Sequence, residues 1–151
     1  MRLEDEIKQP TFQSEAQKAY LNVLYTAGWL SQRQAAAFKP LGLTLPQFNV
    51  LRILRGQHPR PATVALLIER MLDKTSNASR IVDKLEEKLL VTRKVCPANR
   101  RAVDIRITEA GLRLLKQVDD EGIASPARQG LNTLDESELK ALNDLLDKMR
   151  G

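Results

Sequence analysis

Apolar residues in this chain keep helical spacing over most of its length, and one stretch breaks that habit. From Ala102 to Ile107 the pattern alternates, with Val103, Ile105 and Ile107 on one side and Asp104 and Arg106 on the other. The run from Leu90 to Cys96 holds Val91 and Val95 with Arg93 between them. A step of two marks a strand, because successive side chains leave a strand on opposite faces. Pro97-Ala98-Asn99-Arg100-Arg101 links the two runs by turn chemistry followed by two arginines. The spacing predicts one β-hairpin with a cationic tip, set among helices.

Around it the sequence predicts six helices. Residues 1–13 read as a polar, frayed end. Ser14 is the N-cap of a long first helix to Phe38, stopped by Lys39-Pro40. Ala16, Tyr20, Val23, Ala27 and Leu30 form one of its faces, and Leu21, Leu24, Tyr25 and Gly28 an adjacent one. A helix apolar on two faces needs more than one neighbour, and a second chain is a candidate. Thr44 caps a second helix with Pro46 in its first turn and Gly56 as its stop. A short third helix carries Val64, Leu67, Ile68 and Met71. Ser76 to Lys88 is the fourth, with Ala78, Ile81, Val82 and Leu85 facing inward. After the hairpin, Thr108-Glu109 opens a fifth helix reaching about Gln129, with Gly122 and Pro126 as points of bending or breakage. Asp135 with Glu138 resembles a capping box opening a sixth, which carries Leu139, Leu142, Leu146 and Met149.

The charge is unevenly placed. Lys and Arg number 24 and Asp and Glu 19, a net of +5. Residues 39–106 hold 14 basic and 6 acidic residues, a net of +8, while the flanks hold 10 and 13, a net of −3. A basic block suits a polyanionic partner, and a basic solvated surface explains the charge equally well. The longest uncharged stretch, Ala19 to Gln32, carries Asn, Thr, Ser and Gln, so no membrane span is expected. The N-terminus lacks an apolar signal region, and a single cysteine excludes an internal disulfide framework, so the expected location is the cytoplasm. His58 stands without acid or cysteine neighbours, and the seven glycines are scattered rather than gathered in a phosphate loop. The chain is therefore expected to be no enzyme, with no catalytic residues, no metal and no cofactor.

Three helices followed by a hairpin is the element order of a winged helix-turn-helix. The major groove of B-DNA admits one helix, which must present short polar and basic side chains near its N-terminal half. The fourth helix offers Ser76, Asn77, Ser79 and Arg80, with Lys84 a turn later. The hairpin tip offers Arg100 and Arg101 to the flanking minor groove, whose negative potential favours arginine. Thr63 and Thr75 are hydroxyl candidates for phosphate. Lys74 reads as a phosphate contact or as plain surface. Arg80 and Lys84 read otherwise as solvated helix charges, and Arg100 and Arg101 as a polar turn or, for one of them, a brace for the wing.

The stretch Leu43-Thr44-Leu45-Pro46-Gln47-Phe48-Asn49-Val50-Leu51 resembles the second-helix signature of the MarR family of transcriptional regulators. Ser79-Arg80-Ile81-Val82-Asp83-Lys84-Leu85-Glu86 is similar to the core of that family's recognition helix. Asn99-Arg100-Arg101 and Ile107-Thr108-Glu109-Ala110-Gly111 resemble its wing and the start of the next helix. The resemblance spans roughly residues 14–149. It implies one domain over 1–151, mainly α with a small β-hairpin wing (an α+β winged helix-turn-helix). Residues 40–107 would form the DNA-binding lobe, and 14–39 and 108–149 the dimerisation helices. It implies a homodimer with two reading heads on a pseudo-palindromic operator in double-stranded DNA, a repressor relieved by a small-molecule effector. Small aromatic effectors bind some relatives in a cleft that Tyr20, Tyr25 and Trp29 would line here, though core or interface packing explains these residues too. Some relatives sense oxidants through cysteine, which makes Cys96, beside Lys94, a redox candidate or a small packed side chain. Two residues depart from the family pattern: Asn99 stands where Asp is usual, and Leu89 where a left-handed Gly is usual. A winged-helix module that binds an acidic protein is the rival reading of the same basic surface.

Overall fold

Six helices begin in the same way. A short polar side chain accepts a hydrogen bond from the backbone N–H three residues on: Ser14 from Gln17, Thr44 from Gln47, Thr63 from Leu66, Asn77 from Arg80, Thr108 from Gly111 and Asp135 from Glu138. Each cap satisfies an N–H that the helix itself leaves unpaired, typically worth about 1 kcal/mol. Thr44 and Asp135 complete full capping boxes with Gln47 and Glu138. The computed structural model describes residues 1–151, the side chains of Arg100 and Arg101 excepted.

The order is α1 (Leu3–Glu6), α2 (Glu15–Phe38), α3 (Leu45–Gln57), α4 (Val64–Arg70), α5 (Ala78–Glu87), β1 (Val91–Cys96), β2 (Asn99–Ile107), α6 (Glu109–Asp120) and α7 (Glu136–Arg150). Short 3-10 turns lie at Lys39–Leu41, Ala127–Gln129 and Leu131–Thr133. The strands pair antiparallel, Val91 with Ile107 and Arg93 with Ile105, and the register shifts between Val95 and Cys96. Ala62 bridges to Ile105 through two backbone hydrogen bonds of 2.8 Å, which ties the hairpin to the loop before α4.

Several boundaries differ from expectation. The N-terminus is not frayed: α1 buries Leu3 and is held to α2 by Lys18 Nζ to Glu4 Oε1 at 2.5 Å and Tyr25 Oη to Glu6 Oε2 at 2.6 Å. Gly56 does not stop its helix, which runs to Gln57, because a single interior glycine only weakens a helix. Ser76 and Asn77, expected inside the fourth helix, lie before it, since Asn77 is its cap. β2 starts at Asn99, so the tip is the two-residue turn Pro97-Ala98, and Arg100 and Arg101 lie on a strand. α6 ends at Asp120, not near Gln129, where Gly122 takes φ +60 and Ile123 N donates to Val118 O at 3.0 Å.

The core lies between α3, α4, α5, the hairpin and α6. Leu51, Leu54, Leu67, Met71, Val82, Leu85, Val91, Ile105, Leu115 and Val118 are fully or almost fully buried. Phe38, at the end of α2, stacks on Phe48 with ring centres 4.4 Å apart. Outside this lobe burial is sparse. Over 24 residues α2 buries only Phe38, and α7 buries none.

Candidate nucleic-acid interface

α5 is placed by its two ends. At its N-terminus the chain turns through Leu72 to Asn77, and the Leu72 N–H donates to the buried side chain of Asn49 at 2.9 Å. Asp73 organises the rest of that turn. Its carboxylate accepts from Thr75 Oγ1 at 2.6 Å, Thr75 N at 2.9 Å and Ser76 Oγ at 2.8 Å. The Thr75 hydroxyl, then the Thr75 N–H and the Ser76 hydroxyl, hold the Asp73 carboxyl below the usual aspartate range. At the C-terminus, Leu89 takes the left-handed conformation at φ +61. Leu90 N donates to Leu85 O at 3.0 Å and Leu89 N to Glu86 O at 2.9 Å, a Schellman closure. Leu89 thus does what a glycine ordinarily does there. Lys88 then clamps α5 to the start of α3, donating to Gly42 O and to Gln47 Oε1, the latter at 3.0 Å.

The exposed face of α5 carries five charges, and most cancel. Lys84 Nζ pairs with Glu87 at 3.0 Å. Arg93, from β1, donates to Asp83 and comes within 3.4 Å of Glu86. Arg80 alone among the charged residues of α5 has no ion-pair partner among the described residues, and it lies exposed beside exposed Ser79 in the first turn. A helix N-terminus with free backbone N–H groups and one unpaired arginine suits a phosphate or a base edge.

The other sequence candidates divide by what they already hold. Thr63 caps α4, Asn77 caps α5, and the Thr75 and Ser76 hydroxyl protons go to Asp73. Lys74 is not plain surface: its ammonium caps the end of α4, donating to Ile68 O at 3.1 Å and to Glu69 O. Lys84 remains exposed, and a surface pair of roughly 0–1 kcal/mol is easily exchanged for a phosphate. The side chains of Arg100 and Arg101 lie outside the described residues. Arg93, Asp73 and Lys88 carried the architecture unnoticed by sequence reasoning.

The aromatic candidates separate too. Tyr25 and Trp29 line a cavity of about 220 Å³ with Leu3, Glu6, Asn22 and Thr26. The bond to the Glu6 carboxylate raises the Tyr25 hydroxyl above the ordinary tyrosine value. Tyr20 does not line that cavity and is 62% exposed. Trp29 also carries the Arg33 guanidinium 4.8 Å from its ring centre. Cys96 is half-buried at the end of β1 and free. Among the described residues no group of three or more His, Cys, Asp or Glu could hold a metal, and no helix is long and apolar enough to cross a membrane.

The chain is similar to known proteins. A family model described as "MarR family" matches residues 41–102, the lobe that holds α3 to β2. The HTH-type transcriptional regulator MhqR of Bacillus subtilis (strain 168) is 29% identical over 108 residues, 72% of each chain. CouR from Rhodococcus jostii RHA1, solved bound to p-coumaroyl-CoA, superposes with a TM-score of 0.72 at 20% identity, covering 91% of this chain and 95% of that one. A MarR transcription factor from Planctomyces limnophilus is 32% identical with a TM-score of 0.69, covering 91% of this chain and 98% of that one. A capped α5, a paired hairpin and that identity along nearly the whole of a solved relative lead to one conclusion: the chain belongs to the MarR family of DNA-binding transcriptional regulators.

Proposed function

We propose that the chain is a homodimeric repressor acting in the cytoplasm on a pseudo-palindromic operator, released by a small-molecule effector. The observation that carries this reading is the charge cancellation on α5, which leaves Arg80 and Ser79 facing outward at the helix N-terminus. Each α5 would enter a major groove, and Arg100 and Arg101 of the wing would follow into the adjacent minor groove. Thr63, Ser76, Asn77 and Lys84 would line the phosphate approach, Thr63 and Asn77 after first serving as caps.

Dimerisation is supported by what α2 and α7 leave bare. Tyr20, Leu24, Leu142, Leu145 and Met149 are exposed apolar side chains on helices that bury almost nothing within one chain. Segments 14–39 and 108–149 are accordingly assigned to the dimer. The cavity beside Tyr25 and Trp29 supports an aromatic effector, and CouR shows a relative in complex with an aromatic thioester. Effector binding that prefers one spacing of the two heads would shift the population away from the DNA-bound form. The test is fluorescence anisotropy on duplexes flanking the chain's own gene. Affinity falling steeply with salt supports the reading, because phosphate contacts release counterions. Absent or salt-independent binding overturns it.

A further inference from the structure

One side chain joins the wing to the reading helix. Arg93 stands in the middle of β1, paired across the hairpin with Ile105. Its Nη2 donates to Asp83 and its Nε lies 3.4 Å from Glu86 Oε2. Asp83 and Glu86 are three residues apart on α5 and share a face, and Asp83 follows Arg80 by the same step. Both carboxylates are about half exposed, 53% and 47%. On a helix lying between phosphates, two uncompensated carboxylates next to Arg80 oppose binding. The planar arginine fork reaches both at once, which a lysine point charge does not.

We propose that Arg93 is a positioning residue for DNA recognition. It neutralises the two acidic side chains of the reading helix and, by the same fork, sets the wing against that helix, without touching DNA. The proposal rests on α5 being the helix that reads DNA. It differs from a direct phosphate contact by Arg93, and the two differ in what rescues the loss of the side chain.

The experiment titrates operator duplex with the full chain and four variants: Arg93→Gln, Asp83→Asn/Glu86→Gln, the triple variant combining all three changes, and Arg80→Ala as a reference. Arg93→Gln is expected to weaken binding roughly tenfold, since it bares two like charges toward the phosphates. The triple variant is expected to bind like the Asp83→Asn/Glu86→Gln double, because nothing is left for Arg93 to neutralise. A folding defect caused by losing Arg93 would persist in the triple variant, as would the loss of a phosphate contact, and either result overturns the proposal. Arg93→Gln binding like wild type while Arg80→Ala binds weakly overturns the brace and leaves the reading helix intact. Arg80→Ala binding like wild type overturns the assignment of α5, and the proposal with it.

Discussion

The carbonyl oxygen of Leu90 occupies the space where a side chain on Gly111 would stand: a Cβ there would lie 2.6 Å from it and 2.6 Å from Cγ1 of Ile107. The same oxygen accepts from Thr108 N at 3.0 Å, so the junction of wing and α6 closes on one carbonyl. This gives the glycine of the Ile107-Thr108-Glu109-Ala110-Gly111 stretch a physical reason. Helix propensity favours alanine over glycine within a helix, and here contact overrules it. Gly111→Ala is expected to destabilise the chain by about 2 kcal/mol, because overpacking against backbone exceeds the propensity gain. A thermal melt at fixed protein concentration should show Tm lowered by roughly 4–8 °C.

Leu89 is the opposite case. It sits at φ +61 with 75% of its surface exposed, so it has the strain of a left-handed residue and little packing to offset it. Leu89→Gly is expected to stabilise by about 1 kcal/mol, the relief of left-handed strain less the extra freedom of an unfolded glycine. The same melt should show Tm raised by roughly 2–4 °C. An unchanged or lower Tm would contradict the strain assigned to Leu89.

Much of this was legible in the residues. Cap signals are local, and Ser14, Thr44, Thr108 and Asp135 do what their positions suggest. The alternation of Val103, Ile105 and Ile107 located the hairpin, because period two survives without tertiary knowledge. What escaped depends on contacts distant in sequence or on too few residues. The four-residue α1 has no periodicity to read, and only the pairing of Glu4 with Lys18 and Glu6 with Tyr25 shows why it forms. Ser76 looked like a helical residue because its polarity suits a groove-facing helix, yet its hydroxyl is committed to Asp73. Lys74 reads as a phosphate contact or as plain surface because nothing in its neighbours names the carbonyls of Ile68 and Glu69.

That difference between Lys74 and Arg80 is measurable. Lys74→Ala removes the ammonium from the end of α4 and should act mainly on stability, by roughly 0.3–1 kcal/mol for a cation at a helix C-terminus. Arg80→Ala should leave the melt unchanged, cost roughly 1–3 kcal/mol in operator binding and relax sequence preference if it reads a base. Parallel melts and binding titrations of the two variants separate the roles.

Asp73 gives the turn before α5 an acid limit. Its pKa is lower in the folded chain than unfolded, so the folded state binds the proton less readily. The stability it contributes is therefore complete above the unfolded aspartate value and disappears as pH falls through the lower folded value. Urea melts across that acidic window should show wild type losing stability relative to Asp73→Asn, which has no proton to take up at this position. Parallel pH profiles for the two proteins would show that Asp73 does not hold the turn.

The central claim is that an α5 with one unpaired arginine, carried twice on a dimer, reads a symmetric DNA site. Selection of bound duplexes from a random pool tests it most directly. An inverted repeat with half-sites about one helical turn apart, lost in Arg80→Ala, is the predicted result. A pool that stays random after selection, from protein that remains folded, would contradict it.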